Sequence, residues 1–159
     1  MHALLACSSV ARSIRGQSAV ITGGSRGLGV SIARAFAREG VGSVLLVARS
    51  AAALEQTRAD LSADYPAVTI KSMVADVTSA EDRSRIVEAA ADCTLLVNNA
   101  GVERWGPYES ITAASIEEQL HTNLLAPMQL TRAFIPRMLE RRGGGAIVNV
   151  ASLAGKLGS

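Results

Sequence analysis

Five short apolar, β-prone runs alternate with longer helix-like stretches along the whole chain, and no other feature restricts the fold as much. Ala19 to Thr22, Ser43 to Ala48, Val68 to Ala75, Thr94 to Val97 and Ala146 to Val150 read as buried strands. Between them, Leu28 to Glu39 places Leu28, Ile32, Ala35 and Phe36 on one helical face, and Ala51 to Ala63, Ala80 to Ala90 and Ile116 to Glu140 continue the series. Strands separated by helices are joined by right-handed crossovers, which build a parallel sheet covered on both faces. The expected architecture is therefore α/β, three-layered and doubly wound. Ligands of such sheets bind beyond the carboxyl ends of the strands, so the residues after each run come under scrutiny.

A chain of 159 residues that is 48% hydrophobic suits one folded domain. Residues 1–16 carry Arg12 and Arg15, serines and no acid. They read as a lead-in, either disordered or a weak mitochondrial targeting segment, ahead of a domain over residues 17–159. Sixteen basic and fourteen acidic residues are mixed along the chain, for a net charge of +2, which argues against a nucleic-acid partner. No apolar run approaches the roughly 18 residues needed to cross a bilayer. Cys7 and Cys93 lack metal-ligand spacing, and no metal site is expected. Cys93 beside Leu95-Leu96-Val97 reads as a buried thiol in a reducing, cytoplasmic setting.

The first run leads into Thr22-Gly23-Gly24-Ser25-Arg26-Gly27-Leu28-Gly29 and then a helix. Glycines at a strand-to-helix turn let backbone approach a phosphate, while free N–H groups and the helix dipole favour its charge. A ligand-free turn does not explain Gly27 and Gly29 at a helix start, where each is less stable than alanine. After the second run, Ala48-Arg49-Ser50 offers no acid for a ribose 2′-hydroxyl, and Arg49 suits a 2′-phosphate instead. NADP(H) is favoured over NAD(H) on that ground. Arg26 either adds a second positive charge there or is a solvated surface arginine. Asp76, followed by Val77 and Thr78, reads as a helix cap unless the series gives it a ligand. Asn98 and Asn99 follow the fourth run, where amides tie strand ends together or reach a ligand.

T-G-x-x-x-G-x-G, then D-V, then N-N-A-G, in this order from about residue 17 onward, resemble the short-chain dehydrogenase/reductase family. The resemblance implies a Rossmann-type fold that moves hydride between a nicotinamide and a small-molecule alcohol or carbonyl. It also implies that Gly23, Ser25, Arg26, Leu28 and Arg49 line the phosphate and ribose sites, with Gly27 and Gly29 completing the glycine motif. Asp76 and Val77 would meet the adenine, and Asn99, Ala100 and Gly101 would form the floor beneath the cofactor.

In His121-Thr122-Asn123-Leu124-Leu125-Ala126-Pro127, the proline has no N–H for the Asn123 carbonyl, so the helix distorts there. By resemblance Asn123 is the catalytic asparagine whose carbonyl holds a relay water, and Ser152 is the serine that hydrogen-bonds the substrate oxygen. The family's Y-x-x-x-K, expected about 13 residues after that serine, is not among these residues, because neither Tyr65 nor Tyr108 has a lysine four positions on. The chain is thus expected to be a C-terminally truncated reductase, inactive alone, with its fifth strand left as an apolar sheet edge. The alternative is a non-catalytic nucleotide-binding or dimer-modulating fragment. A full-length form would pair subunits as a homo-oligomer through the helix of Ile116 to Glu140. Trp105 either lines the substrate cleft or packs over the sheet end, Gly143 to Gly145 stop a helix, and the methionines read as core filler.

Overall fold

A computed structural model describes residues 13–104 and 106–152. Its strands β1 (Ser18–Thr22), β2 (Ser43–Ala48), β3 (Thr69–Val74), β4 (Leu95–Asn98) and β5 (Ala146–Asn149) form one sheet in the order β3-β2-β1-β4-β5. Every neighbouring pair is parallel. The helices are α1 (Gly27–Arg38), α2 (Ala51–Asp64), α3 (Ala80–Ala89), α4 (Ala113–Leu120) and α5 (Ala126–Leu139). Strand order reverses between β1 and β4, the point at which a doubly wound sheet opens a crevice. The expected α/β Rossmann-type architecture is therefore observed. Trp105, Cys7 and the first twelve residues of the lead-in lie outside the described residues.

The period-two alternation of the strands supplies two cores. Ala19, Ile21, Val44, Leu46, Leu95 and Val97 face α1 and α2, where they meet Ala33, Ala37, Leu54 and Leu61. Val20, Leu45, Val47 and Leu96 face the other way, onto Ile86, Leu130, Phe134 and Met138 of α3 and α5. Register keeps the sets aligned: Ile21 sits beside Leu46 and Val97. A one-residue slip would exchange the two faces, so burial on both sides fixes the pairing.

Several expectations need correction. The buried face of α1 is Gly29, Ala33 and Ala37, with Leu28 and Ala35 exposed. Small residues four apart let the helix lie close on the sheet, and Leu28 turns toward solvent at its first turn. The third run is an edge strand among the described residues and, like the fifth, is not fully buried: β3 keeps Ile70 inside, while Thr69, Lys71 and Val74 are exposed. β5 pairs with β4 alone among the described residues and exposes Val148, with Val150 exposed just after it, as expected of a sheet edge. Of the methionines, Met138 is core but Met128 is exposed.

The long helix begins at Ala113, three residues earlier than expected, because Thr112 caps it by accepting from the Ser115 N–H. It is interrupted at His121–Leu125 by a π turn, where the Ala126 N–H reaches back five residues to the His121 carbonyl. Pro127, at the second position of α5, removes the N–H that an α-helix would return to Asn123, and the widened turn absorbs the misfit. After α5, Gly144 at φ 62° reverses the chain.

Cys93 is buried, its thiol donating to the Leu95 carbonyl at 3.2 Å. Burial pushes its pKa up to about 11. The cap of α3 is Ser79, which accepts from the Asp82 N–H, and not Asp76. Ser79→Ala is expected to lower stability by about 1 kcal/mol, read as a reduced urea midpoint at unchanged slope. An unchanged midpoint would show that this hydroxyl does not hold the helix start.

Candidate functional site

The carboxyl ends of β1, β2, β3 and β4 open onto a cleft of about 750 Å³. It is lined by Gly23, Ser25, Arg26, Gly27 and Leu28 after β1, by Arg49 and Ser50 after β2, and by Asp76 and Val77 after β3. Asn99, Ala100, Gly101 and Val102 after β4 complete it, together with Thr122 of the π turn. Of the residues expected to meet the cofactor, all but Gly29 line this one cleft. Its size lies within the range typical of cofactor sites.

The glycine-rich loop is shaped by contacts at both ends. Gly23 has φ 67°, and a Cβ there would stand 2.8 Å from Asn99 Nδ2 and 3.0 Å from the Ala100 Cα. Gly29 lies under the loop, buried against it, where a Cβ would collide with the Gly23 carbonyl. It supports the loop from below and does not line the cleft. Gly27 lines the cleft at φ 55° with open space beside it.

Thr22, only 1% exposed, joins the two sides of the crevice. Its hydroxyl accepts from the N–H groups of Asn99 and Ala100, each at 3.0 Å, and donates to the Val97 carbonyl. Asn99 answers with its side chain, donating to the Thr22 carbonyl at 2.9 Å. The neighbouring Asn98 turns the other way and donates to Asn149 Oδ1 of β5 at 2.8 Å and to Thr131 of α5. One asparagine therefore ties β4 to β5, and the other ties β4 to the loop after β1. Sequence reasoning named Thr22 only as part of a motif. Its burial at the end of an apolar strand was the available signal, since a buried hydroxyl must find partners.

Helices α1 and α2 both start at the cleft without a side-chain cap and without an acid in the first turn. Away from it, α3 and α4 start with capping hydroxyls. Unpaired N–H groups and the positive end of the helix dipole make such starts receptive to anions. Arg26 and Arg49 add cationic side chains. Arg49 is not isolated, however, because Asp76 Oδ2 stands 3.9 Å from its Nη1 across the cleft. The acid that the second strand lacks is supplied by the third. Asp76 Oδ1 is occupied by the N–H and hydroxyl of Thr78. Its own N–H donates to Asp82, a bond that holds the Asp82 carboxyl below the usual range, with help from Arg85.

At the opposite end, the Asn123 amide grips the loop after β4 with both its atoms: Oδ1 accepts from the Val102 N–H at 2.9 Å, and Nδ2 donates to the Val102 carbonyl at 2.8 Å. Arg104 bonds Glu118 of α4 at 2.6 Å, fastening the same loop a second time. Asn123 thus stands behind the wall of the cleft and not in it, while Thr122, Ser50 and Val102 are lining residues that sequence reasoning missed. Ser152 is exposed just past β5 and does not line the cleft. No group of acidic, histidine or cysteine side chains among the described residues is arranged to hold a metal. No helix among them is long and apolar enough to cross a membrane.

Fold and cleft together define a Rossmann-type α/β domain that opens at the carboxyl ends of its strands. Residues 17–159 match the short chain dehydrogenase family model, and the chain belongs to that family. Over 150 residues it is 44% identical to the ketoacyl reductase HetN of a Nostoc species, covering 91% of this chain and 50% of that protein. The bulky-bulky ketone specific alcohol dehydrogenase from Comamonas testosteroni is similar at a TM-score of 0.81 and 31% identity, over 89% of this chain and 57% of that one. A short-chain dehydrogenase from Sphingobium yanoikuyae in complex with NADPH gives a TM-score of 0.80 at 34% identity, over 88% and 55%. The chain spans about half the length of these relatives.

Proposed function

We propose that residues 17–159 hold NADP(H) and form the nucleotide-binding part of an oxidoreductase acting on a carbonyl or alcohol. The observation that carries this reading is the cleft, onto which two uncapped helix starts and a glycine-rich loop converge. The residues fit the cofactor: Gly23 and Gly29 remove the Cβ atoms that would close the loop, and the α1 start faces the place a diphosphate would take. Arg49 beside the α2 start suits a 2′-phosphate, and Asp76 with Val77 suits the adenosine end. Asn99 to Gly101 would support the nicotinamide end. When bound, the cofactor would supply or accept the hydride.

Ser152 would hold the substrate oxygen, and the Asn123 carbonyl, released by Pro127, would hold a relay water. The grip of the Asn123 side chain on Val102 supports this division of labour, because it fixes the residue by its amide and leaves the main chain for the water. A tyrosine and lysine spaced as Y-x-x-x-K are needed to move the substrate proton, and Tyr65 and Tyr108 lack that spacing. We therefore propose that these residues alone give no turnover, to be checked with NADPH and a panel of ketones. A cytoplasmic setting belongs to the same reading. So does pairing of subunits through α4, the π turn and α5, where Leu120, Leu124, Met128 and Leu139 are exposed. Sedimentation showing only monomers of a chain that includes the Y-x-x-x-K segment would exclude that pairing.

Calorimetry tests the cofactor preference. NADPH is expected to bind about tenfold more tightly than NADH, and Arg49→Ala to erase most of the difference, since it removes a charge-assisted bond to an exposed phosphate. Equal affinities in the unsubstituted chain would refute the NADP(H) assignment while leaving a nicotinamide cofactor in place.

A further inference from the structure

Thr57 lies on the buried face of α2, one turn beyond Ala53, which lines the cleft. Inside a helix, a threonine hydroxyl commonly bonds the carbonyl one turn back. Here it instead leaves its helix and donates to the Ser25 carbonyl of the glycine-rich loop at 3.1 Å, with the residue 8% exposed. A planar trans peptide points its C=O and the following N–H in opposite directions. A Ser25 carbonyl held on α2 therefore turns the Arg26 N–H away from that helix. No acceptor for this N–H is found among the described residues. Ser25 and Arg26 both line the cleft, and Arg26 is the uncapped start of α1.

We propose that Thr57 is a positioning residue for the anion cradle: its hydroxyl fixes the Ser25–Arg26 peptide so that the Arg26 N–H faces the diphosphate of a bound dinucleotide. The inference rests on the nucleotide reading above. With Gly24 before this peptide and Gly27 after it, the loop's own side chains do little to hold it. Rotation of the peptide would replace a donor by a carbonyl oxygen, which repels phosphate. Thr57 thus acts through the loop and touches no ligand itself.

The test separates the diphosphate from the adenosine end, using the full 159-residue chain. Thr57→Val keeps the shape and removes the hydroxyl. It is expected to weaken ADP and NADPH by about tenfold in calorimetry, the scale of one charge-assisted hydrogen bond, and to leave adenosine within about twofold. Thr57→Ser is expected to restore ADP binding. Unchanged ADP affinity in Thr57→Val overturns the proposal, as does a parallel loss of adenosine, which would mean general collapse of the cleft. Should Thr57→Val fail to fold, the Arg26 amide signal of the unsubstituted chain decides by NMR. It must shift on adding ADP and not on adding adenosine, and a signal that ADP leaves in place also overturns the proposal. If the unsubstituted chain binds neither ADP nor NADPH, the nucleotide reading itself fails. If it binds both and Thr57→Val matches it, only the role of Thr57 does.

Discussion

Gly29→Ala is expected to lower the unfolding free energy by about 2 kcal/mol and to remove nucleotide binding. Two effects oppose each other. Alanine is the better helix former by about 1 kcal/mol. Its methyl group, however, would enter space already held by the Gly23 carbonyl, with Asn99 Nδ2 at 2.8 Å. Overpacking of this kind costs about 1–3 kcal/mol or somewhat more, and here the obstacle is main chain that cannot change rotamer. The collision therefore wins. Relief requires α1 to lift from the sheet or the loop to move, and either motion spoils the cradle. Gly27→Ala provides the contrast, since a Cβ there meets open space and only the φ of 55° is strained. That variant is expected to lose about 1 kcal/mol. Urea unfolding compares the two, and a Gly29→Ala chain as stable as its parent would contradict the close approach of helix and strand.

A comparable loss is expected for Thr22→Val, about 2–4 kcal/mol, with the isosteric side chain leaving the packing intact. The hydroxyl of Thr22 is the acceptor for two N–H groups, those of Asn99 and Ala100, and the donor to Val97. Valine leaves all three polar groups at the sheet end with nothing in place of the lost partner, and each unsatisfied group costs about 1–3 kcal/mol in a buried setting. Thr22→Ser keeps the hydroxyl and should lose far less. The comparison by thermal melting isolates the hydrogen bonds from the methyl group. Stability of Thr22→Val within about 0.5 kcal/mol of the parent, the scatter typical of surface changes, would show that the hydroxyl is not the joint between the two loops.

The doubly wound order was legible because the apolar runs are short and each is separated from the next by a helical pattern. The cleft was legible because such sheets bind at their carboxyl ends, and Gly23 to Leu28, Arg49, Asp76 and Asn99 all follow strands. What escaped was whatever depends on closeness between segments remote in sequence. Period alone places Leu28 and Ala35 on the core face of α1 with Ile32 and Phe36; Ile32 and Phe36 do pack there, but the fully buried positions are Gly29, Ala33 and Ala37, small enough for the close approach to the sheet. The composition of β3 suits a buried strand and carries no sign that, among the described residues, it pairs with β2 alone. The opposition of Arg49 and Asp76 joins the ends of two strands, and a reading made strand by strand could not pair them. The π turn was partly legible: Pro127 announced a fault at Asn123, but not the change to five-residue spacing that accommodates it.

Thr22 and Ala100 are 78 positions apart in the chain, yet one hydroxyl joins them. Contacts of such long reach form only after the intervening segment has surrendered its freedom, so they come late as a chain acquires order. The β1–α1–β2 unit can assemble from neighbours, but the floor of the crevice cannot exist until β4 has docked on the far side of β1. The proposed nucleotide affinity would consequently be a property of the finished sheet, gained by a nascent chain only once the residues of β4 have appeared.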